Sequence, residues 1–506
     1  MPDVLDDPLI TYTNRSISGG MNDKVFPTQI RDDQVAELFD VDISTPGRRK
    51  KRKGYEIIGN DAGSDQVNAL ADFKPEGGTH LLLHRAGTNL RSWSGSGNWA
   101  DIDTGLVSGA QANIIQAFNL AMVLQGGGGN VHSYDGSTLT DEGNTNADPP
   151  LTTHGVWLQN RLFLAGNSSN PLYLYYSDPL DPQTFDRGAN VVKFDEGFGA
   201  DINGVVDWNK NTIVVATDKN IHVLDISDAT PSNWSRELIS PNFGCAAFRT
   251  LIRVGNDVWY LGQDAKVRSV LRTQQDAIRG GDNPVTEAIE SFLVDIDKTK
   301  LDESVAVFYN EAYYLSIPIT GSSRNTHVIK VDTQTQGITI YKNWSVQDWA
   351  VSKLVGSEER LYGGESQADT KLYRFETGTS DNGTAIEYNE TTKRIDFGQP
   401  GKDKRFQWIE LETISGGAGT LTVEAQINGG GYSVIGTIDL SSDQPSLAID
   451  LPFDLGGSTN SFDKLDLDAQ DRGRDIQFRF TNPTLDLDVA ILGYTVAAFI
   501  EEIESE

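Results

Sequence analysis

The chain has one cysteine, three methionines, no long apolar run, and far fewer basic than acidic residues. A lone Cys245 rules out an intrachain disulfide framework and a cysteine-based zinc site. Its neighbours in Phe243-Gly-Cys-Ala-Ala-Phe248 are small or apolar, so it is expected as a buried small hydrophobe and not as a reactive thiol. The most apolar stretch, Val489 to Ile500, has 12 residues, short of the ~20 that a membrane-spanning helix takes. The first residues carry Asp3, Asp6 and Asp7 and no apolar core of a signal peptide. The expectation is a protein made in the cytoplasm that stays soluble and inserts in no membrane. Basic residues number 42 against 72 acidic ones, a balance of −30. A groove that grips DNA needs the reverse, because lysine and arginine must neutralise phosphates.

Catalytic signatures are missing too. Gly126–Gly129 lacks the Lys-Ser/Thr of a phosphate loop and sits between two strands, so a hairpin turn is expected. There is no Gly-x-Ser-x-Gly elbow and no repeated Ser-x-Asp-x-Gly-x-Thr-Trp turn of sialidase-type propellers. His80, His84, His132, His154, His222 and His327 are scattered. Asp466, Asp468 and Asp471 half-match a calcium loop but lack its turn glycine and closing glutamate. Carboxylate pairs for glycoside hydrolysis are a spatial matter that spacing does not decide. The expectation is no enzyme, no catalytic residue, no cofactor and no metal ligand.

What is present is repetition, with 50 glycines punctuating short apolar strands. Seven strand pairs open at Thr79, Leu120, Arg161, Thr212, Asp257, Ala312 and Arg360, spaced 41, 41, 51, 45, 55 and 48 residues apart. A third strand often precedes each pair, and a fourth often follows, marked by Asn98-Trp99, Asn233-Trp234 and Asn343-Trp344. Four strands per ~40–50 residues is the period of a β-propeller blade. A blade is a small twisted sheet that buries its faces only by stacking on neighbours, and the recurring tryptophan is expected to wedge between them. The fold class expected is all-β: a seven-bladed propeller over residues 61–380, with six or eight blades as the alternatives. The seventh blade lacks a last strand; Tyr55–Asn60 is expected to supply it, with Thr384–Asn389 competing.

Residues 384–506 read as seven strands: Lys393–Phe397, Phe406–Ile414, Gly419–Ile427, Tyr432–Leu440, Ser446–Leu451, Asp475–Thr481 and Val489–Ile500. Leu421-Thr-Val-Glu-Ala-Gln-Ile427 alternates with period two, as a half-buried antiparallel strand does. A β-sandwich of jelly-roll type with a frayed acidic tail, Glu501–Glu506, is expected. Residues 1–54 show no strong periodicity and read as an extended arm, in which only Gln34–Phe39 suggests a helical turn; arm and docking segment together are taken as 1–60. The arm carries the one basic feature that stands out, Arg48, Arg49, Lys50, Lys51, Arg52 and Lys53.

Ser18-Gly-Gly-Met-Asn22, then Asp40-Val-Asp-Ile43, then Gly47 through Lys53-Gly-Tyr55, resembles the opening of tail nozzle proteins of short-tailed bacteriophages, the tail tubular protein B type, and of related tail hub proteins. Phe397-Gly-Gln-Pro-Gly-Lys-Asp-Lys-Arg-Phe406 and the Gly-Gly-Gly-Tyr432 hairpin are similar to segments of the last sandwich in such proteins. The resemblance covers both flanks and reaches the centre only as a propeller-like pattern. The basic run is longer here, and no proline follows its Lys-Arg. The resemblance implies a virion structural protein: a homo-oligomeric ring, commonly a hexamer, that contacts the tail adaptor and other tail proteins. The genome would leave through its middle without tight binding. Gly19, Gly20, Asn22 and Arg48–Lys53 are the expected docking residues, with the basic run meeting an acidic neighbour. The competing reading is a receptor- or polysaccharide-binding propeller, for which Tyr173, Tyr175 and Tyr176 are the loop-tip aromatics.

Overall fold

The computed structural model describes residues 9–15, 18–59, 63, 65–108, 111–126, 128–194, 201–279, 282–366, 370–441, 459–468 and 471–501. Among the described residues, six blades have four antiparallel strands each. Blade one runs Val67–Phe73, Leu81–Ala86, Asn89–Trp93 and Ala100–Asp103, and blade two runs Asn113–Ala117, Leu120–Leu124, His132–Tyr134 and Leu139–Asp141. Blade three runs from His154–Leu158 to Asp181–Phe185, and blade four from Ile202–Asn209 to Ser235–Ser240. Blade five spans Val305–Tyr309 to Ile338–Lys342, and blade six spans Val346–Ser352 to Leu372–Thr377. The first strand of blade six packs beside that of blade one, so the ring closes. Gly54–Ile57 completes blade six by pairing antiparallel with Leu372–Thr377.

Four-stranded blades therefore number six, not the expected seven. Between blades four and five lies a three-stranded sheet, Ile252–Val254, Asp257–Leu261 and Val267–Ser269. The second strand of the pair that opens at Asp257, expected over Lys266–Arg272, is a strand only over Val267–Ser269 and turns helical at Val270–Arg279. The cause is side-chain capping, one cap local and one from the neighbouring strand: Ser269 Oγ accepts from the Arg272 N–H, and Asp257 Oδ1 accepts from the Leu271 N–H. Two donors that a helix start would leave unpaired are satisfied by side chains.

Tryptophans fill the clefts between blades. Trp99 lies in one apolar cluster with Val67, Tyr362 and Leu372, which joins blades one and six. Trp344, wholly buried, packs with Tyr314, Val328, Trp349 and Phe375 between blades five and six. Trp234 packs on Phe163 and Tyr176 between blades three and four.

The N-terminal segment is not a free arm. Leu9–Asn14 pairs with Val489–Ile500, and Arg49–Lys51 pairs with the same strand at Ala490 and Ile491. Gln34–Phe39 is not helical but two short strands, Gln34–Val35 and Glu37–Phe39. Glu37–Phe39 lies between the last strand of blade five and Tyr388–Thr391. One sheet thus continues from blade five through the N-terminal segment into Tyr388–Thr391, Ile476–Asn482, Thr420–Ile427 and Ser433–Asp439. A second sheet holds Thr459–Asp466, Lys404–Ser415, Val489–Ile500, Arg49–Lys51 and Val41–Asp42. Phe406, Ile409, Leu411 and Val496 of the second sheet share a core with Leu421, Val423, Phe478 and Phe480 of the first. Thr459–Asp466 was not expected as a strand; the strand expected at Ser446–Leu451 and the tail beyond Glu501 lie outside the described residues.

Candidate functional site

The residues singled out in the N-terminal segment come together along the junction of the propeller and the C-terminal sheets. Gly20 has φ +68° and lies against the backbone of Ile338, where a Cβ would stand 2.3 Å from the amide nitrogen. Gly54 is tighter still: a Cβ would stand 1.8 Å from the Ser380 carbonyl oxygen. Only glycine lets the two backbones approach this closely. Gly19 donates its N–H to the Asp33 carbonyl, and the Asn22 amide donates to Gln34 Oε1 at 2.8 Å. The glycine motifs serve as joints.

Three of the six residues of the basic run, Arg49, Lys51 and Arg52, point inward. Arg52, 2% exposed, donates from Nε to Asp40 Oδ1 at 2.6 Å and from Nη1 and Nη2 to the two oxygens of Asp381 at 2.7 Å. It donates further to the Lys53 and Lys342 carbonyls, so all five N–H groups are used. Its guanidinium lies 5.1 Å from the Trp344 ring centroid. Two carboxylates hold it charged despite its burial. Arg49, 1% exposed, donates to Glu390 Oε2 at 2.8 Å, and Tyr388 donates to the same oxygen. Lys51 is buried against neutral acceptors, Asn482 Oδ1 and the Thr484 carbonyl, and burial pushes its amine down to about 8. Lys50 pairs at the surface with Asp488 at 2.9 Å. Arg48 and Lys53 are exposed.

The expected docking run is therefore divided. Arg49, Lys51 and Arg52 are internal and cannot meet a partner while the chain is folded; Arg48 and Lys53 can. The reason is charge pairing across long sequence separation: the partners of Arg52 lie at Asp40 and Asp381, one close and one far along the chain. No periodicity signals such a pair. The alternation of Arg49, Lys50 and Lys51 between buried and half-exposed positions is that of a strand, and it is the one signal that was readable.

The other candidates are also placed. Tyr175 and Tyr176 are buried at 4% and 6% exposure, and Tyr173 is half-buried, so none is a loop-tip platform. Cys245 is fully buried, and its thiol is pushed up to about 11, out of the reactive range. Among the described residues no group of three His, Cys, Asp or Glu side chains is placed to hold a metal ion. No described helix is long and apolar enough to cross a membrane.

The propeller axis carries a feature that sequence reasoning missed. The His154 ring of blade three stacks on Phe248 at 5.3 Å and 21°. Phe248 lies beneath the guanidinium of Arg249. Arg249 Nη1 donates to the Asn68 carbonyl at 3.2 Å and the Gln347 carbonyl at 2.8 Å, on the first strands of blades one and six. The stack bridges the ring from one side to the other and stands across the bore.

No family model matches the chain, and no curated protein matches it. Solved structures that resemble it include the extracellular domain of a one component system protein from B. thetaiotaomicron, at 12% identity and TM-score 0.42, covering 70% of this chain and 43% of that one. PorZ, a surface component of the type-IX secretion system of Porphyromonas gingivalis, has 10% identity and TM-score 0.39, covering 76% and 46%. BBS1N in complex with ARL6DN has 11% identity and TM-score 0.41, covering 64% and 97%. The chain spans less than half the length of the first two. At TM-scores below 0.5 these likenesses assign no function to it.

Proposed function

We propose that this chain is a structural subunit of a short-tailed phage tail, in a nozzle or hub ring that forms part of the channel for genome exit. The observation that supports it is where the motif residues lie. Ser18–Asn22 and Gly47–Tyr55, which carry the resemblance, supply the joints and buried charges that lock the propeller to the C-terminal sheets. A resemblance over these residues is thus a resemblance of architecture. On this reading the two C-terminal sheets form the sandwich of jelly-roll type, and the protein is virion-resident and non-catalytic. Because Arg249 and Phe248 stand across the propeller's own bore, DNA passes between subunits and not through a single propeller. An acidic wall, −30 per chain, repels phosphate over about 8–10 Å at physiological salt.

The same charge makes like subunits repel. Light scattering with negative-stain imaging tests the reading. The expected result is a monomer at low salt and rings with a central opening at high salt and high protein concentration, with no appreciable duplex-DNA binding at physiological salt. A chain that stays monomeric in high salt at high concentration overturns the ring.

A further inference from the structure

The mouth of the bore is a cup of about 340 Å³ whose floor is the His154–Phe248 stack. The volume falls in the range of small-molecule sites, about 300–1,000 Å³. We propose that this cup binds a neutral sugar residue. The cup sits where the first strands of blades three and four begin, at His154 and Ile202, and connecting segments around Asn167 and Ala246–Phe248 complete its wall, so the lining comes from several elements and not from a single loop. Its polar side chains are tied from behind. The Gln111 amide donates to the Asp302 carbonyl at 2.9 Å, Asn203 to the Cys245 carbonyl at 3.2 Å, and Asn167 to the Leu151 carbonyl at 2.9 Å. Side chains held in this way lose little entropy when a ligand arrives.

The chemistry selects the ligand class. Two carboxylates, Asp201 and Asp302, line the cup and no described lysine or arginine does; the guanidinium of Arg249 lies against the Phe248 ring and is not part of the lining, so the charge that faces a ligand is negative and disfavours an anion. His154 adds no positive charge: burial pushes its imidazole down to about 3. Acceptors therefore dominate, and the half-buried Phe248 ring offers an apolar face. A ligand rich in hydroxyl donors with a C–H face, and without charge, satisfies both. Acidic sites also attract cations, yet no trio of metal-ligating side chains is assembled among the described residues. This site does not rest on the tail reading; ring formation and sugar binding can fail separately.

Saturation-transfer NMR on the full chain at neutral pH, with glucose, galactose, N-acetylglucosamine and glucuronate as probes, tests the site. The expected result is saturable transfer to at least one neutral sugar, with glucuronate about tenfold weaker. Asp302→Ala, at an exposed side chain, should weaken the neutral sugar about tenfold, the loss of one hydrogen bond to a charged group. Ser168→Trp, also at an exposed lining position, should fill the cup and abolish transfer, while melting like the parent. No transfer to any of the three neutral sugars overturns the proposal. So does transfer that survives Ser168→Trp, or glucuronate binding as well as the neutral probes.

Discussion

The blades and the N-terminal segment both end up buried, by opposite means. Blades are fastened by apolar wedges: Trp344 touches Tyr314, Tyr341, Trp349 and Phe375 and is wholly buried. The N-terminal segment is fastened by charge, through Arg52 with Asp40 and Asp381, Arg49 with Glu390, and Asp42 with Lys330. An apolar wedge tolerates any neighbour of suitable shape. A buried charge tolerates only its partner, because desolvation must be offset by specific hydrogen bonds. The blades can thus vary in number and length, whereas the seam fixes one register between propeller and C-terminal sheets.

The sharpest way to break this comparison is to remove one member from each side. Arg52→Ala leaves two buried carboxylates facing each other and should cost about 3–5 kcal/mol. Trp344→Ala should cost a similar ~3–5 kcal/mol through the cavity it leaves. Urea denaturation separates them by rescue. Arg52→Met combined with Asp40→Leu and Asp381→Leu should recover most of the loss, because a buried charge cluster is replaceable by apolar packing. No surface change should recover Trp344→Ala. A triple variant as unstable as Arg52→Ala would mean that the seam is held by shape and not by charge.

Acid divides the two regions next. Two imidazoles of the blades are held neutral by desolvation: it pushes His154 down to about 3 and His327 to about 4. Unfolded, each binds its proton near 6.5. Folded values below unfolded ones mean stability that is whole above pH 6.5 and lost as pH falls toward 4, at about 1.4 kcal/mol per unit for each ring. Asp348 runs the other way. Burial raises its carboxyl to about 6 against the pull of Arg249, so it takes a proton first in the folded state and gains stability as pH falls from 6 to 4. Among these three groups it offsets about one imidazole, so their combined contribution is a loss of roughly 3 kcal/mol between pH 6.5 and 4. His154→Gln should flatten that slope and Asp348→Asn should steepen it. A slope unchanged by either would remove the bore from the account of acid sensitivity.

These two tests also show what was legible. The blade pattern, the wedge tryptophans at Trp99, Trp234 and Trp344, the closing strand at Tyr55 and most C-terminal strands were readable, because period-two burial leaves a local signature. The strand pair opening at Asp257 was read correctly as strands but wrongly as a full blade, because the chain after Ser269 becomes a capped helix, and capping by Asp257 acts from 14 residues away. The seam was missed because a run of six cations reads as a solvated face unless the partners are known, and Asp381 and Glu390 lie more than three hundred residues downstream. The stack across the bore joins His154 of one strand to Phe248 and Arg249 of a turn more than ninety residues on, and no spacing encodes it.

Glycine joints offer a milder break. Gly54→Ala forces a Cβ into the Ser380 carbonyl, and the two backbones must part. A loss of about 2 kcal/mol is expected, within the range for overpacking a tight contact. Gly47, on the same segment, has φ +75° and open space around it, so Gly47→Ala should lose only about 1 kcal/mol from backbone strain. Equal losses at the two sites would show that conformation, and not close approach, is what Gly54 supplies.

The smallest effect on stability is the most informative about assembly. Neutralising the whole run Arg48–Lys53 would confuse docking with unfolding, since three of its six side chains are internal. Arg48 and Lys53 are the members that the fold leaves exposed, and neither is bonded through its side chain in the way Arg52 is. Arg48→Gln with Lys53→Gln should leave the denaturation curve unchanged within its error. If these two cations meet an acidic neighbour, the double variant should need higher salt than the parent to form rings, because two attractions are lost from a contact between like-charged subunits. Duplex-DNA binding should stay absent in parent and variant alike. Rings that form equally well in the double variant would confine the role of the basic run to the interior. Salt-sensitive DNA binding that disappears in it would make Arg48 and Lys53 a contact for the genome instead.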